Sequence, residues 1–240
     1  MTALVVSDLH IDAAWPEIGE QFIAFLEGEA RGAEALYVLG DLFEAWIGDD
    51  DDNPHRRGVV AALRRLSASG VELYFQHGNR DFLYGSRFEC DTGGLLLADP
   101  VIVSRHGKRA LFAHGDALCT DDVPYQRLRA LVRDPPWQRA FLGLGRATRQ
   151  LLADEARSGS RAHTAQQQTM LMDVNPATVE ALLRAAGVDT LVHGHTHRPG
   201  VHALSIDGRA CTRIVTGDWY TQGSVLCWDN AGLRLETRPR

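Results

Sequence analysis

The sequence predicts an α/β protein with a layered core and one helical insertion, and three observations support this fold class. Short apolar runs recur along the chain, and each ends in a cluster of polar residues and glycine. Amphipathic helical segments lie between several of these runs. A stretch from about residue 120 to 173 has helical patterning without strand signals. Strands that alternate with helices are typical of a sheet covered by helices.

The predicted strands are short and continuously apolar, as expected for strands that are covered on both faces. Those that end in polar clusters span residues 4–6, 36–39, 73–75, 110–113, 190–192 and 214–216. Two further runs, residues 224–228 and 233–237, flank Asn230-Ala231-Gly232 and predict a terminal β-hairpin. Functional side chains are therefore expected at the ends of strands.

Three helices are predicted outside the insertion. The first follows Pro16, has apolar residues at i, i+4, i+7 and i+8, and is expected to stop by Gly32. The second spans about residues 56–69, before Gly70. The third begins after an N-cap at Asn175, with Pro176 in the first turn, and ends before Gly187.

The insertion differs from the rest of the chain in its charge. Residues 124–162 contain eight arginines and three acidic residues, a local charge of +5 in a chain of net charge -6. Leucine, tryptophan and phenylalanine are interleaved with these arginines, a pattern that suits an anionic amphiphile or a membrane surface. An ordinary amphipathic cap with a solvated arginine face explains the composition equally well.

Length and composition set further limits. A chain of 240 residues with 45% hydrophobic content predicts a single domain over residues 1–240 that carries the insertion. The acidic balance argues against nucleic acid as a partner, and no required protein partner is evident. Four widely spaced cysteines indicate a reducing compartment. Without a basic leader or an apolar run of about 20 residues, we expect a cytoplasmic protein that is at most peripheral to a membrane.

The polar clusters contain residues that are suited to binding metal ions. Carboxylate, imidazole and amide groups without thiolates favour Mn²⁺, Fe²⁺ or Zn²⁺ over a cysteine-rich zinc site, and they exclude an iron–sulfur cluster. The candidate ligands are Asp8, His10, Asp41, Asn79, His114, His195 and His197.

The spacing of these residues supports chelation. In Asp8-x-His10 and His195-x-His197, residues two apart at a strand end can project the same way and bind one ion. One carboxylate shared by two ions would hold them about 3.5–4 Å apart, and Asp41 is the natural candidate. Each of these residues alone could be a turn or helix cap. Their occurrence in five successive clusters favours a metal centre.

The ordered clusters Asp8-Leu9-His10, Gly40-Asp41, Gly78-Asn79-Arg80-Asp81, His114-Gly115-Asp116 and Gly194-His195-Thr196-His197 resemble those of the calcineurin-like metallophosphoesterase superfamily. Longer strings at residues 39–51, 77–83, 118–122 and 192–199 are similar to those of the UDP-2,3-diacylglucosamine diphosphatase family of lipid A synthesis. The similarity extends over almost the whole chain.

The resemblance implies a four-layer αββα sandwich with two Mn²⁺ per chain, other divalent transition metals being alternatives. One ion would be held by Asp8, His10, Asp41 and His197, and the other by Asp41, Asn79, His114 and His195. A metal-activated water would attack the α-phosphorus of UDP-2,3-diacylglucosamine. The products would be UMP and 2,3-diacylglucosamine 1-phosphate.

The resemblance also implies that the insertion is a lid that shelters the acyl chains, on a protein peripheral to the cytoplasmic face of the bacterial inner membrane. Asn79, Arg80 and His195 would act in catalysis. The implied substrate contacts are Asn79, Arg80, Asp122, Ser160 and His195.

This sequence departs from the family pattern at two lid positions, where Thr164 and Gln167 stand in place of Asn and Lys. Glutamine cannot supply the charge of lysine. Arg157 and Arg161 are candidates to recognise phosphate instead.

Two other functions fit part of the pattern. The first is another two-metal phosphodiesterase, nucleotide pyrophosphatase or nuclease. The acidic charge and the apolar lid disfavour a nucleic-acid substrate, and the longer strings disfavour a general diesterase. The second is a non-catalytic scaffold of the same fold, which should have lost metal ligands, whereas this chain retains the full set.

Overall fold

The computed structural model describes residues 2–166 and 173–239, with the backbone alone for residues 160–166. Two β-sheets form its centre. The first has the strand order β11-β10-β1-β2-β3-β4. Its strands β1 to β4 are mutually parallel, and β10 runs antiparallel to β1. The bounds are Ala3–Val6 for β1, Ala35–Val38 for β2, Glu72–Phe75 for β3, Leu95–Leu96 for β4, Gly223–Asp229 for β10 and Gly232–Arg238 for β11.

The second sheet has the order β5-β6-β7-β9-β8. Strands β6, β7 and β9 are parallel, while β5 and β8 pair antiparallel at the two edges. The strands span Val101–Arg105 in β5, Lys108–Ala113 in β6, Thr190–His193 in β7, Gly200–Ile206 in β8 and Arg209–Val215 in β9.

Side chains alternate across the strands and form three apolar layers. Val5, Tyr37, Phe112 and Trp228 belong to the layer between the two sheets. The outer face of the first sheet packs against α1 (Pro16–Glu27), α2 (Pro54–Ala68) and α3 (Ser86–Thr92), and that of the second against α7 (Pro176–Ala186). The predicted four-layer αββα sandwich is confirmed.

Local sequence signals account for the helix boundaries. Asn53 and Asn175 accept main-chain N–H groups in the first turns of α2 and α7, and Gly187 ends α7 in the left-handed conformation. Helix α1 ends before Gly32, because a 3-10 helix, Glu29–Gly32, takes over. Helix α2 begins two residues before the predicted start, at Pro54.

One α-helix and three strands outside the insertion were not predicted, namely α3, β4, β5 and β8. Strand β4 has only two residues, which is too short for a periodic signal. Strand β8 is a largely exposed edge strand, so its sequence lacks the continuous apolar run of a covered strand.

Between a 3-10 helix at Asp116–Leu118 and α7 lies a helical segment, residues 123–166. It consists of α4 (Val123–Val132), α5 (Pro135–Leu142) and α6 (Arg146–Gln166). Asp122 and Asp134 cap the first two helices through their side chains. Among the described residues, no helix combines the length and apolarity that crossing a lipid bilayer requires.

Candidate metal centre

The carboxyl ends of the parallel strands of both sheets lie at one edge of the sandwich. Loops after β1, β2 and β3 carry Asp8, His10, Asp41 and Asn79, and loops after β6 and β7 carry His114, His195 and His197. Ligands that are far apart in sequence thereby converge, and six of them form two compact groups.

The first group contains Asp8, His10 and His197, whose ligand atoms lie within 4.8 Å of one another. Nε2 of His10 is 3.1 Å from Nε2 of His197, and the latter is 3.5 Å from Oδ1 of Asp8. Asp8 is fixed by the main-chain N–H of His195, which lies 3.0 Å from Oδ1 and 2.9 Å from Oδ2. This group offers one carboxylate and two imidazoles.

The second group contains Asp41, His114 and His195. Asn79 completes it, because its Oδ1 lies 3.0 Å from Nε2 of His114 and 2.9 Å from Nδ1 of His195. The structure thus brings all seven predicted ligands together.

Asp41 lies between the two groups. Its Oδ2 is 3.7 Å from Nε2 of His10 and 3.8 Å from Nε2 of His114. Its other oxygen, Oδ1, accepts the main-chain N–H of Arg80 at 2.8 Å. The carboxylate therefore has the position that a shared ligand requires.

The ligand loops adopt a backbone conformation that is unusual for residues with a side chain. Positive φ angles of 51° to 67° occur at Asp8, His10, Asp41, His195 and His197. Such angles are uncommon outside glycine and cost free energy unless the surroundings impose them. Their concentration at one edge is typical of a functional site.

Two glycines allow the loops to approach the ligands. A Cβ on Gly78 would lie 2.1 Å from Oδ1 of Asp41, and one on Gly194 would lie 2.2 Å from Oδ2 of Asp8. No side chain fits at either position.

The buried carboxylate of Asp81 holds two of the loops in register. It accepts main-chain N–H groups from Asp41, Leu42, Phe43 and Gly78 at 2.7–3.3 Å. It also accepts the hydroxyl of Tyr84 at 2.5 Å. Asp81 was part of a motif in the sequence but was assigned no role there.

The electrostatics of the site favour a cation. Burial by itself would lower the pKa of His114, but the carboxylates of Asp41, Asp116 and Asp8 outweigh it and raise that pKa to about 9. Nδ1 of His114 donates to the carbonyl of Leu39 at 2.8 Å, so Nε2 is the atom directed at Asp41 and Asn79. Burial lowers the pKa of His195 to about 3, which leaves its imidazole in the neutral form that binds metals. Carboxylate, amide and imidazole donors fit a divalent cation.

A cavity of about 620 Å³ opens beside the metal ligands. Its lining includes Asn79 and Arg80, mostly apolar residues of the loops after β2 and β3, and mostly apolar side chains of the helical segment. Among these are Leu128, Val132, Trp137, Phe141, Leu144 and Leu152. The cavity therefore connects a polar, metal-binding end with an apolar chamber.

The helical segment is attached to the core by ion pairs on two sides. On the α4 side, the buried carboxylate of Asp116 accepts the Tyr125 hydroxyl at 2.7 Å and Nε of Arg129 at 2.8 Å. On the α6 side, the buried guanidinium of Arg149 pairs with Asp50, its Nη1 donating to Oδ1 at 2.8 Å. Much of the local positive charge is thus matched by aspartates of the core.

The predicted substrate contacts outside the metal ligands have different locations. Arg80 and Arg157 line the cavity. Asp122 caps α4, where it accepts the N–H of Tyr125 at 3.1 Å. The side chains of Ser160, Arg161 and Thr164, and the whole of Gln167, lie outside the described residues.

The structure adds two carboxylates that sequence reasoning did not assign. Glu44 Oε2 is 3.0 Å from Nδ1 of His10, and Asp218 Oδ2 is 3.4 Å from Nδ1 of His197. Asp218 follows a predicted strand, as Asp8 does, and that signal could have identified it.

Comparisons with known proteins agree with this geometry. Residues 1–199 match the model of the calcineurin-like phosphoesterase family. The UDP-2,3-diacylglucosamine hydrolase of Stenotrophomonas maltophilia is 50% identical over 100% of both chains. That of Xanthomonas oryzae pv. oryzae is 47% identical over 98% of both chains. An archaeal phosphodiesterase of solved structure has the same fold, with a TM-score of 0.50 and 13% identity over 99% of both chains.

The family match and the two ligand groups identify a hydrolase that uses a divalent metal cofactor. The chain belongs to the calcineurin-like phosphoesterase family, in the branch that contains these two UDP-2,3-diacylglucosamine hydrolases.

Proposed function

We propose that this protein hydrolyses the pyrophosphate bond of UDP-2,3-diacylglucosamine in lipid A synthesis. Water attacks the α-phosphorus, and the products are UMP and 2,3-diacylglucosamine 1-phosphate. The observation that carries this proposal is the cavity, which joins the metal ligands to an apolar chamber. A substrate with a charged diphosphate and two acyl chains needs both environments side by side.

The metal centre in this proposal contains two Mn²⁺ ions. The first would be held by Asp8, His10, Asp41 and His197, and the second by Asp41, Asn79, His114 and His195. Oxygen and imidazole donors, with one neutral amide, suit manganese. Bound there, the metal pair supplies Lewis-acid activation of water and neutralises charge on the phosphate.

Residues of the chain orient the substrate. Arg80 follows the ligand Asn79 and lines the cavity, where its guanidinium can donate paired hydrogen bonds to phosphate oxygens. Asn79 and His195, whose Oδ1 and Nδ1 lie 2.9 Å apart, would hold the second ion and contact the same phosphate. Asp122 and Ser160 remain candidates for the sugar or uridine end.

The leaving group explains why an arginine suits this position. Hydrolysis releases a sugar 1-phosphate, whose second pKa is near 6, so the departing oxygen is stable without a proton. Arginine cannot donate a proton near neutral pH, but it can balance the developing charge.

The helical segment, residues 123–166, serves as a lid over the acyl chains. Its cavity-lining residues are largely apolar, and each methylene that they remove from water contributes about 0.8 kcal/mol.

We also propose that the outer surface of this lid contacts the inner leaflet of the bacterial inner membrane. Leu131, Leu142 and Leu151 are exposed there. Arg127 and Arg139 are exposed near them, and neither forms an ion pair within the described residues. Cosedimentation with anionic vesicles that declines as salt is raised would support this contact.

The decisive experiment follows the products by ³¹P NMR in ¹⁸O-labelled water. The proposal predicts that label enters UMP, and that a deacylated UDP-sugar is a much poorer substrate. Label in the sugar phosphate would contradict attack at the α-phosphorus. Equal rates on acylated and deacylated substrates would instead favour a general nucleotide pyrophosphatase.

A further inference from the structure

Glu44 lies between a metal ligand and the lid. It follows β2 in the loop that also carries Asp41, and its side chain is mostly buried. Oε2 is 3.0 Å from Nδ1 of His10, the ring nitrogen on the opposite side from the ligand atom. Oε1 is 3.9 Å from Nη1 of Arg157, a residue of helix α6. One carboxylate therefore contacts both the first ligand group and the helical segment.

The contact with Glu44 places a carboxylate beside a buried ring nitrogen of His10. Its Nδ1 is buried, and it has no other polar partner within the described residues. Nδ1 and Oε2 are within hydrogen-bonding distance, although the N–H is not directed at Oε2 in this ring orientation. The ring also stacks on Tyr220, with 5.9 Å between centroids and 8° between planes. Stacking restrains tilting of the imidazole ring but not its rotation within its own plane, which a partner at Nδ1 can restrain.

A carboxylate behind a metal-binding histidine has a known physical effect. By accepting the N–H of one ring nitrogen, it fixes the tautomer in which the other nitrogen presents its lone pair, and it makes that nitrogen a better donor. Removal of such a partner typically weakens metal binding about 10- to 100-fold.

Arg157 connects this arrangement to the lid. Its guanidinium also reaches Asp12 of the core at 3.3 Å and pairs with Asp154 one turn earlier in α6. When α6 lies against the core, as in this structure, the positive charge of Arg157 holds Glu44 in place beside His10.

We propose that Glu44 is a positioning residue that relays docking of the lid, through Arg157, to the first metal site at His10. The inference rests on the ligand set assigned under the proposed function. It implies that affinity for one of the two ions rises when α6 is docked, before any substrate contacts the metals.

The test measures Mn²⁺ binding to the whole apoprotein without substrate, by competition with a chromophoric chelator and by electron paramagnetic resonance. Wild-type protein should bind two ions and give a spin-coupled spectrum. Glu44→Ala should weaken one ion about 10- to 100-fold, so that at limiting Mn²⁺ the spectrum becomes that of an isolated ion. Glu44→Gln, which preserves shape and can still accept a hydrogen bond, should give an intermediate loss.

Arg157 variants test the relay. Arg157→Ala should weaken the same ion several-fold in the wild-type background and have no effect when Glu44 is already alanine. Asp154→Asn is the matched control, because it removes another partner of Arg157 that does not touch His10, and its binding should stay within about twofold of wild type.

Each failure has its own meaning. A Glu44→Ala protein that binds two coupled ions with wild-type affinity overturns the positioning role. If the alanine variant does not fold, wild-type affinity in Glu44→Gln overturns that role instead. Fully additive effects of the Glu44 and Arg157 variants overturn the relay. Wild-type protein that binds no metal pair would instead remove the proposed function itself.

Discussion

Oδ2 of Asp41 lies 3.8 Å from Nε2 of His114, across the junction of the two sheets. The same oxygen is 3.7 Å from Nε2 of His10 in the other ligand group. This position predicts that Asp41→Ala removes a ligand from both ions at once. Metal content should fall from two ions to fewer than one, and turnover should fall further than in any variant of a terminal ligand.

His10→Ala is the comparison for this prediction, because it alters one group only. It should retain the ion at His114 and His195. Metal analysis of both purified variants, together with turnover, distinguishes the two cases. Two tightly bound ions in Asp41→Ala would show that the carboxylate is not shared.

Asp81→Asn should destabilise the fold although residue 81 is not a metal ligand. The carboxylate accepts four main-chain N–H groups and one hydroxyl. Asparagine would turn an NH₂ group towards some of these donors, leaving them unpaired, at a cost of about 3 kcal/mol. Urea unfolding of the apoprotein measures this free energy. Tyr84→Phe removes one donor and should cost about 1 kcal/mol. An equal loss of stability in both variants would contradict the role of Asp81 in holding the two loops.

Arg80→Ala should lower kcat about 100-fold or more while both metals stay bound, a loss typical of one transition-state donor. Arg80→His should not restore the rate, because this leaving group needs charge neutralisation rather than a proton. Metal content and kcat are measured on the same samples. Near-normal turnover in Arg80→Ala with intact metals would remove the residue from catalysis, and an ion pair that merely orders the loop would then be its role.

Ala153→Trp should obstruct the apolar chamber. Ala153 lines the cavity from α6, so an indole there occupies space that the proposed acyl chains need. We expect KM for the diacylated substrate to rise at least tenfold and the difference between long and short acyl chains to shrink. Ala147→Trp, at an exposed position of the same helix outside the cavity lining, is the control. An unchanged chain-length dependence in Ala153→Trp would mean that the chains bind elsewhere.

The candidate ligands could be singled out in the sequence because the signal is local. Each ligand directly follows a short apolar strand, and parallel strands carry their carboxyl ends to a common edge. Asp8, Asp41 and His114 could thus be identified without knowing which strands are neighbours. Glu44 could not, because its role depends on the position of the His10 ring, which only the folded loops determine.

The charge of the helical segment is a feature whose role could not be predicted from the sequence. The eight arginines in residues 124–162 are equally consistent with a membrane-binding surface and with a solvated helix face. In the structure, Arg129, Arg149 and Arg157 pair with carboxylates outside the segment, namely Asp116, Asp50 and Asp12. Composition does not reveal such pairs, because their partners come from loops after β1, β2 and β6.

The division of the ligands between the two sheets has a mechanical consequence. The proposed first ion takes Asp8 and His10 from one sheet and His197 from the other, and the second ion is shared in the same way. Each ion, once bound, would therefore link the two sheets at this edge, while Phe112 and Trp228 pack between the same sheets in the core. A substitution in that layer that changes the spacing of the sheets would also change the positions of the two ligand groups relative to each other, without altering a ligand.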